Sequence, residues 1–267
     1  MSKTVSSNQG NFLRYLFITT LLLNVFKSLN TIAAFDPYNK SICGLHDDRR
    51  PSFNPSVGRV LRPGDKNGCS ITLIGKTCAI SAGHCHERLD QVEFNVPLSD
   101  SIGKIRPSDP SDVYPVDPKS IKFQYEGKGK DWSVFRLGKN SYSNNFPGER
   151  FGYHAVAKGS PELGDQLVIF SYGSDKTPGE LERNYVQQIS SGPVLIIDEN
   201  FLSYTADTKG GSSGASVISV KTNEVYGIHT HGWCDEEGGW NSATLINGNI
   251  ELKNAISSCL SWELENL

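Results

Sequence analysis

From Ser70 onward the chain alternates between short apolar runs and turn-forming stretches. The runs SITLIG, TCAISA, QVEFNV, SIKFQYE and WSVFRL fill the first half. QLVIFSYG, NYVQQIS, PVLIID, FLSYTAD, ASVISV and EVYGIHTHG fill the second. β-Branched and aromatic residues are frequent in these runs, and helical periodicity is scarce. This spacing predicts an all-β sandwich or barrel. Two polar stretches break the series. Ser99 to Ser120, with four prolines, reads as a surface loop, and Gly138 to Arg150 reads as a linker between two halves.

The C-terminus follows a different period. NIELKNAISSCLSWELENL places Leu252, Ala255, Ile256, Cys259 and Leu260 on one helical face. Asn249 suits the N-cap, and Glu251 suits the positive end of the helix. At the other end, Lys3 and Arg14 precede the apolar run Tyr15 to Phe26. That run is shorter than the roughly 20 residues a membrane-spanning helix needs. Small residues at Ala33 and Ala34 follow it, so residues 1–34 read as a secretory signal peptide. The folded part then divides into residues 35–145 and 146–267.

Composition narrows the function classes. Hydrophobic residues make up 37% of the 267 positions and charged residues 21%, enough apolar material for a proper core. A net charge of -3 with no long basic run disfavours nucleic acid as a partner. Six cysteines behind a signal peptide imply three disulfides in an oxidising, extracellular or periplasmic compartment. Asn39-Lys40-Ser41 is a lone glycosylation sequon.

Three segments carry candidate chemistry. In GCSITLIGKTCAISAGHCHE, a turn of small residues delivers His84. A disulfide from Cys85 back to Cys69 would limit that loop's motion, which suits a general base. In GKGKDWSVFRL, Asp131 is the last polar residue before an apolar strand. A carboxylate there needs a hydrogen-bond donor, and an imidazole N–H is suitable. In TADTKGGSSGASVISV, Ser213 alone has Gly211 two before it and Gly214 directly after. Such glycines allow a tight turn with backbone N–H groups aimed at an oxyanion.

The order His84, Asp131, Ser213 resembles that of the chymotrypsin-like serine proteases. The resemblance implies two packed six-stranded β-barrels with a C-terminal α-helix and a cleft between the barrels. His84 and Asp131 then come from the first barrel and Ser213 from the second. It further implies a catalytic triad of these three residues, an oxyanion hole from Gly211 and Ser213, protein or peptide substrates, no cofactor and a monomer. In relatives the N-terminal segment lies near the specificity pocket, and the strand leading to the histidine lies near the C-terminal helix. That implies Cys43–Cys234 and Cys78–Cys259 beside Cys69–Cys85, although sequence alone leaves three ways of pairing the four.

Ser212 departs from the trypsin-type animal enzymes, which place an aspartate before the nucleophile. The GLHDDRR segment and the GIH context of His229 are closer to the bacterial glutamyl endopeptidase branch. Likeness to that branch assigns Thr208 and His229, with Gly232 in the same segment, to a pocket preferring glutamate before the cleaved bond (the P1 position). Asp207 opposes this, standing where trypsin-like enzymes hold the carboxylate that binds arginine or lysine. Two rivals stay open. A secreted homologue could keep the fold as an inactive binding module. The pairs His84/His86 and His229/His231, with Cys234, Asp235 and Glu236, could instead hold zinc, although alternate strand residues face opposite sides.

Overall fold

The computed structural model describes residues 42–61, 65 and 67–267. The expected signal peptide and the Asn39 sequon lie outside the described residues. Among those described, no helix is long and apolar enough to cross a membrane.

Among the described residues, fourteen strands form two sheets. The first contains β2 (Val57–Val60), β3 (Cys69–Leu73), β4 (Cys78–Ser81), β5 (Gln91–Glu93), β6 (Val113–Pro115), β7 (Lys122–Tyr125) and β8 (Asp131–Arg136). Its order is β6-β5-β2-β3-β4-β8-β7. The second contains β1 (Arg50–Pro51), β9 (Gln166–Ser171), β10 (Gln188–Ile197), β11 (Phe201–Tyr204), β12 (Ser216–Ser219), β13 (Val225–Gly232) and β14 (Asn241–Leu245). Its order is β1-β10-β11-β14-β13-β12-β9, and β9 also pairs with β10. That last ladder, from Gln188 opposite Ser171 to Pro193 opposite Gln166, closes a six-stranded barrel.

The two-barrel architecture is therefore present, with two differences from the expected strand count. β1 is appended to the second barrel, Arg50 opposite Ile189, although it precedes every strand of the first. The first sheet curls without a closing ladder. Its β6 edge meets the chain just past β8 at a single bridge between Val116 and Leu137, supported by Asp117 N–H to the Arg136 carbonyl and Gly138 N–H to the Pro115 carbonyl.

Local chemistry explains several other departures. β6 lies inside the proline-rich stretch expected to be loop, at an edge where Pro115 can end a strand. Asp109 and Asp117 each accept a backbone N–H and open a one-turn helix at the following proline. NYVQQIS and PVLIID join as the single strand β10, because Gly192 lets it pass against the backbone of Thr205 and Ala206. A short helix α1 (Pro147–Phe151) ends the linker.

The C-terminal helix α2 (Ile250–Asn266) starts where the sequence places it, with the Asn249 side chain accepting the Leu252 N–H at 3.0 Å. Leu252, Ala255, Ile256 and Cys259 are buried. They pack with Ile80, Trp132 and Val134 of the first barrel and Ile218, Val225 and Ile228 of the second. This shared core joins the barrels, and each barrel has its own core besides. Burying each large aliphatic side chain contributes about 1.5–3 kcal/mol. Cys78–Cys259 ties α2 to β4, and Glu263 accepts the N–H groups of Lys76, Thr77 and Cys78 in the turn before it.

Candidate active site

β4 is buried along its length and ends at Ser81, and after Ala82 a short 3-10 turn (Gly83–Arg88) begins. Only glycine fits at position 83, since a Cβ would overlap the Gln124 carbonyl of β7. The Cys69–Cys85 disulfide fastens the turn to β3. His84 lies in this turn. Its backbone N–H donates to Asp131 Oδ1 at 3.0 Å, and its ring Nδ1 is 2.7 Å from Oδ2. Asp131 is only 1% exposed, so its carboxylate relies on these protein donors in place of bulk water. The carboxylate accepts from Nδ1–H, which leaves Nε2 as the basic nitrogen of the neutral ring. Across the barrel boundary, the Thr244 hydroxyl donates to the Asp131 carbonyl at 2.9 Å.

The three clustered serines have separate environments. The Ser212 hydroxyl is buried 2.9 Å from that of Ser171 and also accepts the Lys209 N–H. Ser216 is a buried residue of β12. Ser213 sits in the turn between them, and its hydroxyl has no hydrogen-bond partner among the described residues. Positive φ angles at Gly211 (104°) and Gly214 (89°) make that turn accessible only to glycine-like backbone. A Cβ at Gly214 would overlap Ser81 Oγ and the Ser70 carbonyl.

The turn is pinned from both sides. Ser70 N–H donates to the Ser213 carbonyl at 2.8 Å, and the Ser70 hydroxyl donates to the Gly211 carbonyl at 2.9 Å. From the second barrel, the Gly214 N–H donates to the His229 carbonyl at 2.8 Å. Ser70 follows Cys69, which holds the His84 turn through its disulfide, so adjacent residues of β3 fasten the Ser213 turn and the His84 turn. The Gly210 carbonyl accepts from Ser174 N–H at 2.7 Å. In a trans peptide this directs the Gly211 N–H the opposite way. Neither Gly211 N–H nor Ser213 N–H has an acceptor among the described residues, the condition an oxyanion site requires.

Thr208 and His229 are fully buried in the second barrel beside this turn. Thr208 Oγ1 has no partner among the described residues. His229 lies on β13, its N–H donating to the Ala215 carbonyl, with Nδ1 2.6 Å from the Tyr204 hydroxyl. Gly232 ends the same strand opposite Asn241.

Asp207 turns its carboxylate to the N-terminal segment instead. Oδ1 accepts the Cys43 N–H and Oδ2 the Asp48 N–H, both at 2.7 Å. Burial raises its pKa above the usual carboxylate value and outweighs these two hydrogen bonds. The Cys43–Cys234 disulfide fixes the same segment to the end of β13. Next to it Arg49 pairs with Asp47 at 2.7 Å and faces buried Asp175, which Arg183 also approaches. For Asp47, burial raises the pKa, but the Arg49 guanidinium more than offsets it and the net shift is downward. Cys234, in a disulfide, offers no thiolate to a zinc ion. The one group of three candidate metal ligands among the described residues, Cys69, His84 and Cys85, contains two disulfide sulfurs.

Residues 69–228 match the sequence profile of the trypsin-like peptidase domain. The chain belongs to this family. The matched span includes His84, Asp131 and Ser213 and leaves out the Cys43–Arg49 clamp, Gly232, Cys234 and α2. Glutamyl endopeptidase of Bacillus licheniformis is 26% identical over 210 residues, which is 72% of this chain. The chain spans 64% of the length of that curated relative.

Solved structures agree on the fold of this trypsin-like peptidase domain. A Glu endopeptidase in complex with MPD superposes with a TM-score of 0.61 at 18% identity, covering 82% of this chain and all of that one. The protease Anisep from Arthrobacter nicotinovorans gives 0.58 at 12% identity, over 84% and 99%. A thermostable serine protease from an extremophilic microorganism gives 0.57 at 13%, over 77% and 98%.

Sequence reasoning singled out His84, Asp131, Ser213, Gly211, Thr208 and His229, but it missed Ser70, Ser174, Thr244 and Tyr204. Those four act through contacts between segments distant in sequence, Ser70, Thr244 and Tyr204 from strands and Ser174 from a loop. A serine, threonine or tyrosine in an ordinary strand run carries no local sign of such a contact.

Proposed function

We propose that the chain is a secreted serine endopeptidase that hydrolyses peptide bonds through Ser213, His84 and Asp131, with preference for glutamate at P1. The carrying observation is the doubly anchored Asp131, which accepts from both the His84 backbone and Nδ1 and so leaves Nε2 to act as base. Ser213 Oγ bonds to the substrate carbonyl carbon as its proton passes to His84 Nε2. The oxyanion is received by the N–H groups of Gly211 and Ser213, a donor pair of which each member is worth about 3–4 kcal/mol in comparable sites. Nε2 then returns the proton to the leaving amine as the C–N bond breaks. Water repeats the sequence on the acyl-enzyme and releases the acid.

Two observations support glutamate over arginine or lysine. Asp207 has both oxygens engaged by the Cys43 and Asp48 backbone. Thr208 presents a buried hydroxyl lacking a described partner, and His229 is likewise fully buried. A hydroxyl and an imidazole N–H can bind a carboxylate without an ion pair. The likeness to a glutamyl endopeptidase adds weight. In this reading residues 1–34 are the secretory signal, 35–145 carry the histidine and aspartate, and 146–267 carry the nucleophile and pocket.

Digestion of a defined peptide mixture by the wild-type protein and Ser213→Ala tests both halves. Cleavage after glutamate is expected from the wild type, and a loss of about 10⁴-fold or more from the variant. Cuts mainly after arginine or lysine would reject the pocket assignment. Undiminished cleavage by Ser213→Ala would reject the nucleophile.

A further inference from the structure

Behind His229 the second barrel buries a hydroxyl that decides which ring nitrogen carries the proton. Tyr204 ends β11, is fully buried, and places its phenol oxygen 2.6 Å from His229 Nδ1. Among the described residues this is the one hydrogen bond its side chain makes. A phenol has a single hydrogen to donate, and Nδ1 is the acceptor within reach. The reverse arrangement, Nδ1–H donating to the phenol oxygen, would leave the phenolic hydrogen without an acceptor in a dry interior. It would also turn a lone pair at Nε2 away from Tyr204, where an acidic substrate group could only be repelled.

The backbone that carries the ring is held on both sides. The His229 N–H donates to the Ala215 carbonyl, and its own carbonyl accepts from Gly214, on either side of the Ser213 turn. Burial keeps the Tyr204 phenol well above the usual tyrosine range, so the hydroxyl retains its proton.

We propose that Tyr204 is a positioning residue that locks His229 in the neutral Nε2–H form. His229 then offers the pocket a hydrogen-bond donor without a positive charge. The lock stands on the hydrogen-bond geometry. Its consequence for substrate rests on the glutamate reading above. The matching ligand is an acceptor-bearing P1 side chain, a carboxylate or carboxamide, with Thr208 as the second donor.

The test is a long-range proton–nitrogen spectrum of histidine-labelled protein, with the His229 signals assigned by their absence in His229→Asn. The wild type is expected to show His229 as the Nε2–H tautomer. In Tyr204→Phe the ring is expected to shift towards Nδ1–H. The same variant should lose about tenfold to a hundredfold in kcat/KM on a P1-glutamate peptide, mainly through KM. A P1-alanine peptide should change less than about threefold. Titration with a serine-directed phosphonate counts intact sites, so misfolding is not mistaken for the effect, and the wild-type spectrum alone decides the tautomer. An Nδ1–H ring in the wild type, or an unchanged ring in Tyr204→Phe, overturns the lock. If the lock is seen but the wild type shows no glutamate preference, the pocket reading fails and the lock stands.

Discussion

Two buried aspartates, Asp131 at the start of β8 and Asp207 after β11, have both carboxylate oxygens engaged by protein donors. Their partners differ. Asp131 meets a backbone N–H and an imidazole, a ring that can take up and release a proton. Asp207 meets two backbone N–H groups of the N-terminal segment, which cannot exchange protons in a catalytic cycle. Similar burial and residue type thus yield opposite tasks, and the partner decides which. Asp131 serves the ring, whereas Asp207, with Cys43–Cys234, holds a segment in place.

Replacing each by asparagine should separate the tasks. Asp131→Asn lets Nδ1 lose its proper acceptor and favours the wrong tautomer, so kcat is expected to fall about 10⁴-fold with little change in thermal stability. Asp207→Asn removes one charged acceptor from two buried N–H groups. It is expected to cost about 1–3 kcal/mol of stability, seen as a lower melting temperature, and to change kcat less than about tenfold. Equal losses of activity in the two variants would erase the distinction.

A smaller effect sharpens the role of the clamp. The folded-state pKa of Asp207 is raised, so its contribution is fully present below the unfolded value of 3.8 and is lost as pH rises through the folded value. Asp47 is lowered, so its contribution is present above 3.8 and is lost as pH falls through its folded value. Denaturant midpoints measured across this acid range should therefore diverge. The gap between wild type and Asp207→Asn narrows with rising pH, and the gap to Asp47→Asn widens. Parallel slopes would contradict the assigned partners.

Much of this was legible in the sequence because local chemistry decided it. Glycines at 211 and 214 mark the Ser213 turn, since the backbone there needs positive φ. The period of α2 and its Asn249 cap show where the chain leaves the β pattern. The placement of β1 was not legible, because two residues carry no periodicity and their partner strand lies in the other half of the chain. The same holds for Asp207. Its sequence position points to a pocket carboxylate, but its contacts are set by Cys43 and Asp48, more than 150 residues earlier. Tyr204 reads as one more aromatic in a strand until the register of β11 and β13 around β14 brings it to His229.

The central claim is that Ser213, and neither Ser212 nor Ser216, attacks the substrate with His84 as base. Labelling the intact protein with a serine-directed phosphonate and mapping the adduct by mass spectrometry tests it most directly. One adduct per molecule on Ser213 is expected, forming far more slowly in Asp131→Asn. An adduct on Ser212 or Ser216, or folded protein that takes up no label, would contradict the account.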